Sequence, residues 1–97
     1  MGRTLIERRL RDVSDRIKAV RADLAVAEEQ LVHLADEAED SRMRALVSET
    51  PLAEHEYRET QRHADAMRRH RDDLLAEIQS LEVSQDDLLD RLMAAGI

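Results

Sequence analysis

The chain contains no cysteine, tryptophan or phenylalanine; Tyr57 is its one aromatic residue, Pro51 its one proline, and its glycines are Gly2 and Gly96. Without cysteine there is neither a disulfide framework nor a thiolate metal site. With so little aromatic volume a thick globular core is not to be expected. No glycine-rich loop is present to cradle a phosphate. Nor is there an apolar run of the length a signal peptide or membrane span needs, so a cytoplasmic location with no membrane partner is the expectation. A length of 97 residues allows one domain at most.

What the chain has in abundance is Ala, Leu, Arg, Asp and Glu, with charged residues at 38%. That is the composition of a coiled coil or long helix. Disorder would be the alternative for so many charges, but the apolar residues are too regularly spaced for it. The net charge of −7 argues against general nucleic-acid binding. Its distribution is uneven. Residues 3–21 hold Arg3, Arg8, Arg9, Arg11, Arg16, Lys18 and Arg21 against Glu7, Asp12 and Asp15, whereas 22–60 is mainly acidic. Folding the acidic C-terminal segment back beside the basic N-terminal one would neutralise both locally.

Pro51 divides the chain. It lacks a backbone N–H and clashes with a preceding helical turn, but it is favoured at the first position of a new helix behind a threonine cap. One helix over about 4–48, a turn over about 49–51 and a second helix over about 51–95 follow. Thr4 with Glu7 has the spacing of a capping box for the first helix, and Gly96 supplies a stop for the second.

In the first helix the apolar positions run Ile6, Leu10, Val13, Ile17, Val20, Leu24, Ala27, Leu31, Leu34, Ala38, Ser41, Ala45, Ser48. In the second they run Ala53, Tyr57, Thr60, Ala64, Met67, Arg71, Leu74, Ile78, Leu81, Gln85, Leu88, Leu92, Ala95. Steps of four and three alternate without a break, a heptad seam with a mean period of about 3.5 residues. Closing the chain at Thr50-Pro51 pairs the seams layer by layer, from Ser48 with Ala53 through Ser41 with Thr60 and Val13 with Leu88 to Ile6 with Ala95. The sequence therefore predicts an all-α, two-helix antiparallel coiled-coil hairpin over residues 1–97. Arg71 and Gln85 are polar seam positions of the kind that set register.

A two-helix coil should be polar outside its seam, and this one is not. Met43, Leu46, Val47 and Leu52, beside Arg42 and Arg44, form a candidate partner-binding surface near the turn. Leu75 and Leu89 flank the seam of the second helix and are candidates for self-association into a homodimeric four-helix bundle.

The four histidines do not build a metal site. His63 and His70 share a face but stand about 10 Å apart in rise. Glu59 with His63, and His33 with Glu37, are pairs only. No nucleophile lies near a suitable base, and the fold offers no concavity to exclude water, so enzymatic activity is not expected.

One stripe is more specific. Glu37, Ser41, Arg44 and Ser48 recur along one helical face, where an acid can accept from guanine N–H groups, a serine can bond a phosphate and an arginine can grip or stack. This stripe resembles part of the cyclic di-GMP motif of RsiG-type anti-sigma factors, Glu-x3-Ser-x2-Arg-x3-Gln-x3-Asp. Glu37, Ser41 and Arg44 match; Ser48 replaces the glutamine and Leu52 the aspartate, which removes a guanine acceptor. The second helix has no copy. The resemblance spans about a dozen residues, and it implies an antiparallel coiled coil in a bacterial regulator that holds a WhiG-type sigma factor when cyclic di-GMP is bound.

The functional expectation is a non-enzymatic, cytoplasmic protein–protein interaction module. Its most concrete form is an anti-sigma-type regulator of transcription whose partner is a sigma factor or RNA polymerase subunit. A self-assembling structural coil and a cyclic-dinucleotide sensor are the alternatives.

Overall fold

In a computed structural model, which describes residues 2–96, the chain forms two helices, α1 over Arg3–Ser48 and α2 over Pro51–Ala94. There is no strand among the described residues. The helices pack against each other as a hairpin, the fold expected from the seam.

The turn is built from three consecutive residues. Glu49 donates its N–H to the Ala45 carbonyl at 3.1 Å and then adopts a left-handed backbone with φ 51°. Thr50 caps α2: its Oγ1 accepts from the Ala53 N–H at 3.2 Å and its carbonyl accepts from Glu54 at 3.1 Å. Pro51 follows as the first helical residue, where its missing N–H leaves no donor unsatisfied. At the other end of α2, Gly96 takes a φ of 86° just beyond the last turn, as its expected role as a stop requires.

The start of α1 differs from the expected capping box. The helix begins at Arg3, two residues before a Thr4 cap would allow, with the Gly2 carbonyl accepting from the Ile6 N–H at 3.1 Å. Thr4 thus lies inside the first turn, and Glu7 is drawn to the Arg3 guanidinium at 2.9 Å instead of reaching back to the chain start.

Contacts divide the chain into two units, Met1–Leu24 with Asp73–Ile97, and Ala25–Asp72. In the first unit the buried side chains are large: Ile6, Ile17, Val20, Leu74, Ile78 and Leu88. Full burial of each such side chain is worth about 1.5–3 kcal/mol. Arg16 meets Glu77 at 2.6 Å and Arg21 meets Glu82 at 3.5 Å, so basic α1 and acidic α2 neutralise each other across the helix pair. Gln85 Nε2 donates to Ser14 Oγ at 3.2 Å, a polar contact between the helices consistent with a role in register. Ala95, expected to close the last layer against Ile6, is exposed because the helix has already ended at Ala94.

The second unit is made differently. Its buried residues are Ala27, Ala38, Ser41, Ala45, Ala53 and Ala64, none larger than alanine or serine, while Leu31, Leu34, Tyr57 and Met67 are half-buried. Ser48, expected opposite Ala53, is exposed, because α1 ends there and the backbone turns away at Glu49. Arg71 is only partly shielded and its guanidinium pairs with the adjacent Asp72 at 3.0 Å. It reaches out along its own helix, so the register role expected of it is not visible in its contacts.

The left-handed Glu49 gives a direct test. Such a backbone costs an L-residue with a side chain about 1–2 kcal/mol, part of which glycine returns as greater freedom in the unfolded chain. Glu49→Gly should therefore stabilise the hairpin by up to about 1 kcal/mol. Urea unfolding followed by circular dichroism measures this, and a destabilised variant would contradict the assigned turn geometry.

Candidate functional site

Two features of the second unit collect the residues singled out from the sequence. The first is an apolar surface at the end of α1. Met43, Leu46 and Val47 follow the three- and four-residue spacing of a single helical stripe, and they are 50%, 60% and 82% exposed. Leu52, 67% exposed, stands just across the turn. Leu46 and Leu52 therefore do not fold over the turn to cover it; both face solvent.

Charges border this surface. Arg42 donates to both carboxylate oxygens of Glu39, at 2.7 and 3.0 Å, and its NH2 group also lies 3.6 Å from the Met43 sulfur. The hydrogen bond from Arg42 holds the Glu39 carboxyl below its ordinary value, against an opposing effect of desolvation and with a lesser charge attraction from Arg42 added to it. The same bond holds the Arg42 guanidinium above its ordinary value. Glu54 pairs loosely with Arg58 at 3.7 Å on α2.

The second feature is a shallow groove of about 280 Å³ between the two helices. From α1 it is lined by Glu37, Ser41 and Arg44, so the structure brings together the three residues that match the cyclic di-GMP motif. From α2 it is lined by His55, Glu56, Glu59, Thr60 and His63. The appearance of Ser41 and Thr60 in one groove agrees with the layer expected from the seams.

Four of the eight residues lining the groove already have polar partners. Ser41, 1% exposed, accepts from the Arg44 guanidinium at 3.1 Å. Thr60 Oγ1 donates to the Tyr57 carbonyl at 3.0 Å, and Glu59 is bound by Arg62. Glu37, Glu56 and Glu59 set three carboxylates against the single Arg44 guanidinium. A phosphate entering here would meet more negative than positive charge, and the missing aspartate at Leu52 leaves a solvent-facing apolar side chain in its place. Among the described residues no group of three or more His, Asp or Glu side chains is placed to hold a metal ion.

On the α2 side of this groove Thr60 was expected opposite Ser41, and Glu59 with His63 stood out only as a pair; His55 and Glu56 escaped the sequence reading, although His55, Glu59 and His63 do recur at four-residue steps. Other exposed apolar residues also lay outside the expected set: Leu5, Val26, Val32, Val83 and Met93. Leu75 and Leu89, at 40% and 44% exposure, border the seam without being enclosed by it. No helix among the described residues is long and apolar enough to cross a membrane. No protein-family model matches the chain, and comparisons with curated proteins and with solved structures found no match.

The Glu39–Arg42 pair predicts a pH dependence. A carboxyl whose pKa is lower in the folded than in the unfolded state contributes stability above its unfolded pKa and loses it as pH falls through the folded one. The stability difference between the parent and Glu39→Gln should therefore be present at neutral pH and shrink to nothing on acidification. Thermal unfolding of both proteins across that range would show it, and a gap that widens on acidification would contradict the pairing.

Proposed function

We propose that the protein is a non-enzymatic coiled-coil module that captures another protein through the turn end of its hairpin. One observation carries this reading: the second unit buries only alanine and serine fully, while Met43, Leu46, Val47 and Leu52 stand in solvent. Leu31, Leu34 and Met67 are half-buried in the seam, whereas these four apolar side chains lie outside it. An exposed apolar cluster with charged neighbours is the usual character of a protein-binding surface, and the spacing of Met43, Leu46 and Val47 suits insertion of one helix face into a partner's groove.

In its most concrete form this is a small cytoplasmic regulator of anti-sigma type, bound to a sigma factor or an RNA polymerase subunit. That form rests on the resemblance around Glu37, Ser41 and Arg44. The surplus of carboxylates in the groove favours a protein contact over cyclic di-GMP as the function of this end.

Capture of tagged protein from lysate of the source cells, with Leu46→Asp in parallel, tests the proposal. A partner held by the parent should be lost or weakened at least about tenfold by the variant, which keeps its helical circular dichroism because Leu46 supports no core layer. Undiminished capture by Leu46→Asp would sink the assignment. Saturating cyclic di-GMP should leave the melting temperature unchanged; a rise would restore the sensor reading, since any ligand of the native state stabilises it.

A further inference from the structure

We infer a second interaction surface in the first unit: α2 carries a self-complementary face through which two copies pair antiparallel, with a two-fold axis passing beside Glu82. Leu75 and Leu89 lie seven residues to either side of Glu82. A seven-residue step returns to nearly the same helix face, with a drift of about 20°. All three are exposed, and the leucines are the half-open members of the stripe bordering the seam.

The occupant follows from symmetry and charge. An antiparallel second copy centred on Glu82 places each Leu75 against the partner's Leu89, about 10 Å from the axis on both sides. At the axis two Glu82 carboxylates would repel, but each already has Arg21 from α1 at 3.5 Å. Among the described residues that long, exposed contact is the only polar one that the Arg21 side chain makes, although its guanidinium has five N–H donors. In the dimer each Arg21 can bridge its own Glu82 and that of the other copy, giving a neutral centre of two guanidiniums and two carboxylates flanked by leucines. A parallel pairing would also set Glu82 against Glu82, but it would align the two α2 dipoles side by side in the same sense, whereas the antiparallel pairing opposes them.

The pairing goes beyond the turn-end reading and stands or falls separately from it. The chain has no cysteine, so a single introduced thiol reports the axis directly. Glu82→Cys places two thiols opposite each other across the two-fold. The neighbouring Val83→Cys, 70% exposed, points away from the face. Under mild oxidation Glu82→Cys should form disulfide-linked dimers at least about tenfold faster than Val83→Cys, because a thiol facing its own copy meets it at an effective millimolar concentration. Sedimentation equilibrium of the parent should give a dimer, and Leu75→Asp/Leu89→Asp should weaken it by about a hundredfold or more at unchanged helicity. A parent that stays monomeric, equal cross-linking at 82 and 83, or a dimer that survives the double substitution would each overturn the inference. Leu46→Asp should leave the dimer intact, which separates failure here from failure at the turn.

Discussion

The absent N–H of Pro51 is the constraint on which the fold depends. It forbids one continuous helix, and with Thr50 as cap it starts a second helix at once. Only Glu49 and Thr50 separate the two helices, so α2 must return directly alongside α1. Both seams then enter the turn in phase. Since each alternates four and three residues without interruption, the first layer past the turn determines every later one. Glu49 accepts a left-handed backbone to make this possible, a local cost borne by the much larger gain of seam burial.

That gain is unequally distributed. The first unit encloses isoleucine, valine and leucine side chains and adds ion pairs between its helices. The second encloses alanine and serine, and among the described residues its ion pairs Arg42–Glu39, Arg58–Glu54, Arg62–Glu59, Arg68–Asp65 and Arg71–Asp72 all lie within one helix. Exposed pairs of this kind add about 0–1 kcal/mol each and do not hold one helix to another. The covalent turn therefore contributes to the second unit's order beside a core of small and half-buried side chains. Any partner that binds this unit when folded would stabilise it by mass action, so recognition and local stability are coupled there.

Much of this architecture was legible in the sequence because it rests on strong, local signals. The 3.5-residue period gave the seam, and Pro51 with Thr50 gave the turn. What failed were positions where two adequate solutions compete. Thr4 and Glu7 have the spacing of a capping box, but Arg3 offers Glu7 an ion pair and the helix starts at Arg3. Arg71 occupies a seam position, but its long stem lets the charge reach Asp72 at the surface. Glu49 gives no hint of a left-handed backbone, since glycine or asparagine is the usual residue there. The candidate site was half legible: Glu37, Ser41 and Arg44 follow one helix's period, whereas the opposing His55, Glu56 and Glu59 lie beside the α2 seam on no apolar stripe that marks them.

A two-helix seam makes one demand on each helix, a narrow apolar stripe, and leaves the remaining faces free for charge. Residues outside the stripe thus carry information that folding alone does not require. Nothing in the seam calls for leucine at 46, 52, 75 or 89, and each of these side chains leaves apolar surface in water that a glutamate or lysine would not. Their placement is also not uniform. Leu46 and Leu52 gather with Met43 and Val47 where the enclosed core is thinnest, whereas Leu75 and Leu89 are spaced evenly about a charged pair where the core is full. A cluster on a weakly packed unit suits a partner that completes that unit. An evenly spaced pair about Arg21 and Glu82 suits a copy of itself, and the two arrangements can therefore serve different contacts on one hairpin.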